Sequence, residues 1–174
     1  EVCLVGSEMC IRDRLNRLCV PLPIYVIADQ LGVPRSELTL LKKWSDASTS
    51  RLGRLADEEQ QIQNAKDIVE FQHYFADLID RMREHPEDNI ISDLANNTID
   101  EGRLLTKPEA LGMIQQILVA GNETSTNAIA GGVVLLIENP EEQAKLRANP
   151  DLIPTAVEEI LRLETPTSGM WRRA

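Results

Sequence analysis

Apolar positions recur along this chain at helical spacing, and most of the recurrences end at a proline, a glycine or a capping residue. Ile24–Leu31 is a short apolar run preceded by Pro21 and Pro23 and closed by Gly32 and Pro34, the punctuation of a short helix. Ser36 can cap the next segment, where Leu38, Leu41 and Trp44 form a helical stripe. Ala56 to Glu84 predicts a long polar helix with Ile68, Phe71, Phe75, Leu78, Ile79 and Met82 on one face, stopped at His85-Pro86. Asp88 to Leu94 predicts a short helix, and Gly102 a turn. Thr106 opens the longest element as an N-cap, with Pro108 in the first turn and Glu109 near the positive end of the dipole. That pattern runs to about Glu138 and stops at Asn139-Pro140, a helix of about 45 Å that can cross a whole domain. Pro140 to Ala148 and Ile153 to Leu163 predict two more helices, separated by Asn149-Pro150. There is no internal repeat and no β alternation beyond a few residues, so the chain reads as mainly α.

Composition narrows the function classes. The 174 residues are 43% apolar but only 3% aromatic, so the core must be mostly Leu, Ile, Val and Ala. The longest apolar run, Ala128 to Ile137, is interrupted by Gly131 and Gly132 and is too short to cross a bilayer. A net charge of -10 disfavours nucleic acid and anionic membrane surfaces as partners, and a soluble cytoplasmic protein is expected. Cys3, Cys10 and Cys19 cluster near the N-terminus without a disulfide pattern, and with His73 and His85 they make no metal-ligand spacing, so no metal is assigned to this chain's own residues. Glu1 to Arg14 reads as a leader foreign to the fold, because VGSEMCIRDR resembles translated sequencing adapter; a genuine extension is the alternative. Residues 15–174 are then the folded part.

The long helix contains one anomaly. Its apolar pattern is interrupted by AGNETSTN, Ala120 to Asn127, although polar residues are costly in a buried helix interior and Gly121 weakens a helix by about 1 kcal/mol relative to alanine. At helical spacing Ile117, Gly121, Thr124 and Ala128 share a face that is small at its middle, where a flat bulky partner can approach the backbone. Thr124 offers that partner a hydroxyl and Glu123 an acid, a proton-delivery arrangement. A packed helix crossing with a polar stripe explains the same residues.

AGNETST resembles the distal-helix motif of the cytochrome P-450 family, the likeness falling on Ala120, Gly121, Glu123, Thr124 and Ser125. Downstream, EEILR resembles the family's Glu-x-x-Arg helix, with Glu159 and Arg162 as the pair. PLPIYVIADQLGVP, NPEEQAKLRANPDLIPTAVEEILR and TPTSGMWRRA resemble the segments around those motifs, so the likeness covers about residues 15–174. The resemblance implies part of the cytochrome P-450 fold and a haem-thiolate monooxygenase that hydroxylates a small organic substrate with dioxygen. Its cofactor would be haem b and its electron donor a ferredoxin-type protein. By the same resemblance Glu123 and Thr124 are catalytic, managing protons, while Ala120 and Gly121 let the haem approach. Arg172 contacts a haem propionate, with Arg173 the close alternative, and Glu159 and Arg162 form a structural ion pair. Gln116 and Val119 are candidate substrate-pocket residues, Gln116 standing where the family usually has an apolar one.

The family's haem-ligating cysteine lies downstream of these motifs in a loop containing Phe and Gly, and none of Cys3, Cys10 or Cys19 has that setting. The expectation is therefore a truncated monooxygenase, inactive by itself. A non-catalytic helical interaction protein, or a ligand-binding helical regulator, is the rival from another class, although a regulator's basic DNA-reading helix is missing from so acidic a chain.

Overall fold

The computed structural model describes residues 15–53, 56–99, 102–167 and 169. It is helical almost throughout: a π-helical turn at Leu15–Cys19, then α1 (Pro21–Leu31), α2 (Leu38–Gly53), α3 (Glu58–Glu84), α4 (Ile90–Asn96), α5 (Lys107–Glu138), α6 (Pro140–Ala148) and α7 (Ile153–Leu163), with short 3₁₀ turns before α2 and α7. Among the described residues the sole β feature is an antiparallel bridge between Thr98 and Leu104, closed by Gly102 at φ +78°. The mainly α expectation holds.

Boundaries moved for local reasons. α1 begins at Pro21, ahead of the expected Ile24, because the first-turn N–H groups that proline lacks have no intrahelical acceptor anyway. It ends in a Schellman motif: Val33 N donates to Ala28 O at 2.9 Å and Gly32 N to Asp29 O at 3.3 Å, with Gly32 at φ +68°. A Cβ at Gly32 would lie 2.8 Å from Asn89 Cγ, and Asn89 is the residue that caps α4 by accepting from Ser92 N at 2.9 Å. α3 starts at Glu58 because Asp57 accepts from Gln60 N at 2.8 Å.

The start of α5 is a reciprocal capping box. Thr106 N donates to Glu109 Oε2 at 2.8 Å, Glu109 N donates to Thr106 Oγ1 at 3.4 Å, and Arg103 grips the same carboxylate through Nη1 and Nη2 at 2.9 and 2.8 Å. The Arg103 guanidinium first, and then the Thr106 N–H, hold the Glu109 carboxyl down at about 2. A carboxyl held lower in the folded chain than in the unfolded one stabilises the fold above the ordinary value of 4.5 and loses that contribution as pH falls towards about 2. Urea unfolding between pH 5 and 2 should therefore show a stability loss that Glu109→Gln removes from that window; equal slopes for both proteins would refute it.

Contacts divide the chain into two compact units, with Ile24–Asn122 forming one and residues from Glu123 onward belonging to the other. In the first unit α1 to α4 and the front of α5 enclose a core of Leu31, Leu41, Trp44, Phe75, Ile79, Met82, Ile91, Ile114 and Leu118. Both phenylalanines join Trp44 and Tyr74 in one ring cluster: Phe71 and Phe75 have centroids 4.7 Å apart, Tyr74 and Phe75 5.0 Å, and Trp44 and Phe75 5.9 Å. Lys43 pairs with Glu70, which also accepts from Trp44 Nε1 at 3.2 Å, tying α2 to α3. Half-buried Arg83 donates to Leu105 O at 2.9 Å and so fastens the end of α3 to the bridge loop.

In the second unit the glycines that interrupt the apolar run serve helix packing. A Cβ at Gly131 would lie 3.0 Å from Glu164 Cβ, and one at Gly132 would lie 3.0 Å from Ile160 Cγ2 of α7. Removing both side chains lets α7 approach the backbone of α5, and Asn127 Nδ2 donates to Pro166 O at 3.3 Å beside them. Among the described residues no helix is long and apolar enough to cross a membrane.

Candidate active-site face of the central helix

α5 sorts its middle residues into two opposite stripes. Ile114, Leu118 and Asn122, at i, i+4 and i+8, are buried. Met113, Gln116, Ala120, Glu123 and Asn127 are exposed, and at about 100° per residue they centre on the side diametrically opposite. Thr124 is half-buried at one edge of that exposed stripe and Val119 half-buried beyond the other. The result is a strip of helix with one methyl at its centre, Ala120, a carboxyl and a hydroxyl one turn on, and an amide one turn back.

The expected face of Ile117, Gly121, Thr124 and Ala128 is instead a flank, all four half-buried. A Cβ on Gly121 would lie 3.2 Å from Ile27 Cδ1 of α1, so the missing side chain makes room for α1. The structure thus separates the two small residues of the motif: Ala120 lies on the open face and Gly121 against α1. The pattern alone could not tell these apart, because both suit a close approach and only the neighbouring helix says from which side it comes.

Glu159 and Arg162 form the expected pair one turn apart on α7, bidentate at 2.7 Å from Nε to Oε2 and 2.6 Å from Nη2 to Oε1. The Arg162 hydrogen bonds hold the Glu159 carboxyl below its usual range, and both groups are exposed. Arg172 and Arg173 lie outside the described residues, as do Cys3, Cys10 and Glu1 to Arg14. Cys19 is buried as a free thiol. Among the described residues no cluster of His, Cys, Asp or Glu could hold a metal ion. Asn122, buried and bonded to Ser45 of α2, is a polar residue that pattern reading left unassigned; its place in the packed stripe after Ile114 and Leu118 was the available signal.

The family model for cytochrome P450 matches residues 41–160. The chain is similar to the cytochrome P450 monooxygenase PikC of Streptomyces venezuelae, 38% identical over 157 residues, covering 90% of this chain and 36% of that protein. It is also similar to the biotin biosynthesis cytochrome P450 of Bacillus subtilis (strain 168), 37% identical over 153 residues, with 88% of this chain and 38% of that one covered. Among solved structures it resembles ligand-free cytochrome P450 TbtJ1 with a TM-score of 0.79 and 35% identity, over 86% of this chain and 39% of that one. P450BioI in complex with an acylated acyl carrier protein follows with a TM-score of 0.78 and 35% identity, over 88% and 39%. The chain thus spans between a third and two-fifths of the length of the relatives it matches. With the family model covering well over half of its residues and the helical architecture matching solved members, this chain belongs to the cytochrome P450 family.

Proposed function

We propose that this chain is the oxygen-facing part of a haem-thiolate monooxygenase that inserts one atom of dioxygen into a small organic substrate. The observation that carries the reading is the open face of α5, where the single methyl of Ala120 is bordered by Glu123 and Thr124 and backed by a packed stripe. A flat group can lie against that methyl, so the residues present fit the distal side of a haem. The thiolate for the iron comes, in this reading, from outside these residues, because none of Cys3, Cys10 or Cys19 stands in a loop containing Phe and Gly. Haem b, when bound, supplies the redox chemistry, taking electrons one at a time from a ferredoxin-type donor and activating dioxygen.

The chain's own residues divide the remaining work. Ala120 gives clearance, and Gly121 serves that surface from behind by letting Ile27 seat α1 against α5. The Glu123 carboxyl, exposed, takes protons from solvent; the Thr124 hydroxyl, one residue on, aligns the hydrogen bonds along which they move inward. Gln116, exposed one turn before Ala120, offers its amide to a polar group on the substrate, and Val119 flanks it with an apolar wall. Arg172, or Arg173 beside it, neutralises a propionate. Residues 15–174 are on this reading one stretch of the family's domain, with Glu1 to Arg14 outside it, and the acidic charge suits a cytoplasmic enzyme.

The test is the difference spectrum of the reduced carbon-monoxide complex. The full-length protein reconstituted with haem should give the thiolate-type band, and residues 1–174 alone should not. A full-length protein without that band would refute the proposal, and a clear band from residues 1–174 alone would show that one of Cys3, Cys10 or Cys19 ligates iron.

A further inference from the structure

α5 carries an asparagine where its packed stripe calls for an apolar side chain. Asn122 is 2% exposed and donates from Nδ2 to Ser45 Oγ of α2 at 2.8 Å, with Ser45 itself 0% exposed. Asn122 Oδ1 has no hydrogen-bond partner among the described residues. Turning the amide over would keep the bond, since the serine hydroxyl both donates and accepts, and would leave the other amide atom unpaired instead. An amide satisfied on one side only is a costly thing to bury, and asparagine is a poor helix former besides. An aliphatic pair would pack the same crossing more cheaply. The polar pair therefore answers to something other than stability.

Direction is what it adds. Apolar contact is non-directional and tolerates rotation of a helix about its axis, whereas a hydrogen bond between two buried side chains does not. Two turns before Asn122, Gln115 Nε2 donates to Ser48 Oγ at 3.3 Å, so α2 meets α5 through two hydroxyls one turn apart. At the preceding residue Ile27 stands 3.2 Å from where a Gly121 Cβ would be, a steric stop on the α1 side. Residues 121 and 122 thus pin α5 by one stop and one directional bond, immediately before Glu123 and Thr124. A helix passes the setting of one residue to the next through its own backbone ladder.

We propose that Asn122 is a positioning residue: its buried bond to Ser45 sets the rotation of α5 and so aims the Glu123 carboxyl and the Thr124 hydroxyl. This rests on the proton-delivery reading above, and the experiment separates the two. It uses the full-length protein with Ser45→Ala, Asn122→Ala, both together, and Ser45→Thr, alongside Thr124→Ala. Product formed per reduced nicotinamide should fall about tenfold in each single variant, a part of the ~100-fold that a misplacement of about 1 Å can cost. The double variant should lose no more than either single one, because both remove the same bond. Ser45→Thr, which keeps the hydroxyl, should retain coupling. In the haem-free protein Ser45→Ala should speed amide exchange at residues 121–125 and leave α3 unchanged. If Ser45→Ala keeps wild-type coupling while Thr124→Ala uncouples, the positioning role is overturned and proton delivery stands. If Thr124→Ala also keeps wild-type coupling, proton delivery falls and the positioning role with it. Exchange that accelerates evenly across α3 and α5 overturns the proposal in favour of general destabilisation.

Discussion

In the full-length, haem-loaded protein, Thr124→Ala should leave the fold intact and divert reducing equivalents from product to hydrogen peroxide. The substitution removes one hydroxyl and one methyl from a half-buried position in the interior of a 32-residue helix. Alanine is the better helix former, so stability should move by less than about 1 kcal/mol. The chemistry should move much further, since a positioned proton donor is typically worth about 10²–10⁴ in rate. On the proposed role, loss of the hydroxyl should leave protons to arrive along unaligned paths, with dioxygen reduction ending in free peroxide in place of substrate hydroxylation. Glu123→Gln should act differently: an amide cannot relay a proton, so turnover slows while the ratio of product to peroxide changes less. Product and peroxide per reduced nicotinamide, measured for both variants with one good substrate, separate these outcomes. Wild-type coupling in Thr124→Ala would show that the hydroxyl has no part in proton delivery.

Phe75→Ala should have the largest effect on stability. Phe75 is fully buried on α3, and its ring lies within 5.9 Å, centroid to centroid, of Phe71, Tyr74 and Trp44. Deleting such a ring costs about 3–5 kcal/mol, the lost transfer energy together with the cavity left behind. Aromatics make up only 3% of the chain, and both phenylalanines stand in this one cluster, so among the described residues no other ring group can take up the load. A domain of ordinary stability has about 5–15 kcal/mol in all, so the variant should lose much of its cooperative unfolding transition. Chemical denaturation followed by circular dichroism reads it directly, and a loss below about 1 kcal/mol would mean that the cluster is not the keystone of the α2–α3 packing.

Thr106 and Glu109 announced the start of α5, and Asn139-Pro140 its end, because capping and proline chemistry act within one turn and are written in adjacent residues. The stripe Ile68, Phe71, Phe75, Leu78, Ile79 and Met82 was legible for the same reason: helical periodicity alone decides which side chains share a face, and all six are buried on α3. The pair Glu159 and Arg162 needed only a spacing. What a helix presents to its neighbours is not local. Ala120 and Gly121 are adjacent small residues with the same credentials, and only the arrival of Ile27 from α1 assigns one to packing and leaves the other on the open face. Gly131 and Gly132 looked like interruptions of an apolar run until Glu164 and Ile160 of the α7 segment were seen to need the space. Asn122 looked like one polar residue among many, and its meaning depends on Ser45, far away in the chain and 2.8 Å away in space. Where the helices lie and which polar groups α5 carries are local facts of the chain, because propensity and capping act within a turn or two. Tertiary structure decided which direction each of those groups faces, because rotation about a helix axis is set by contacts between residues that no window of sequence brings together.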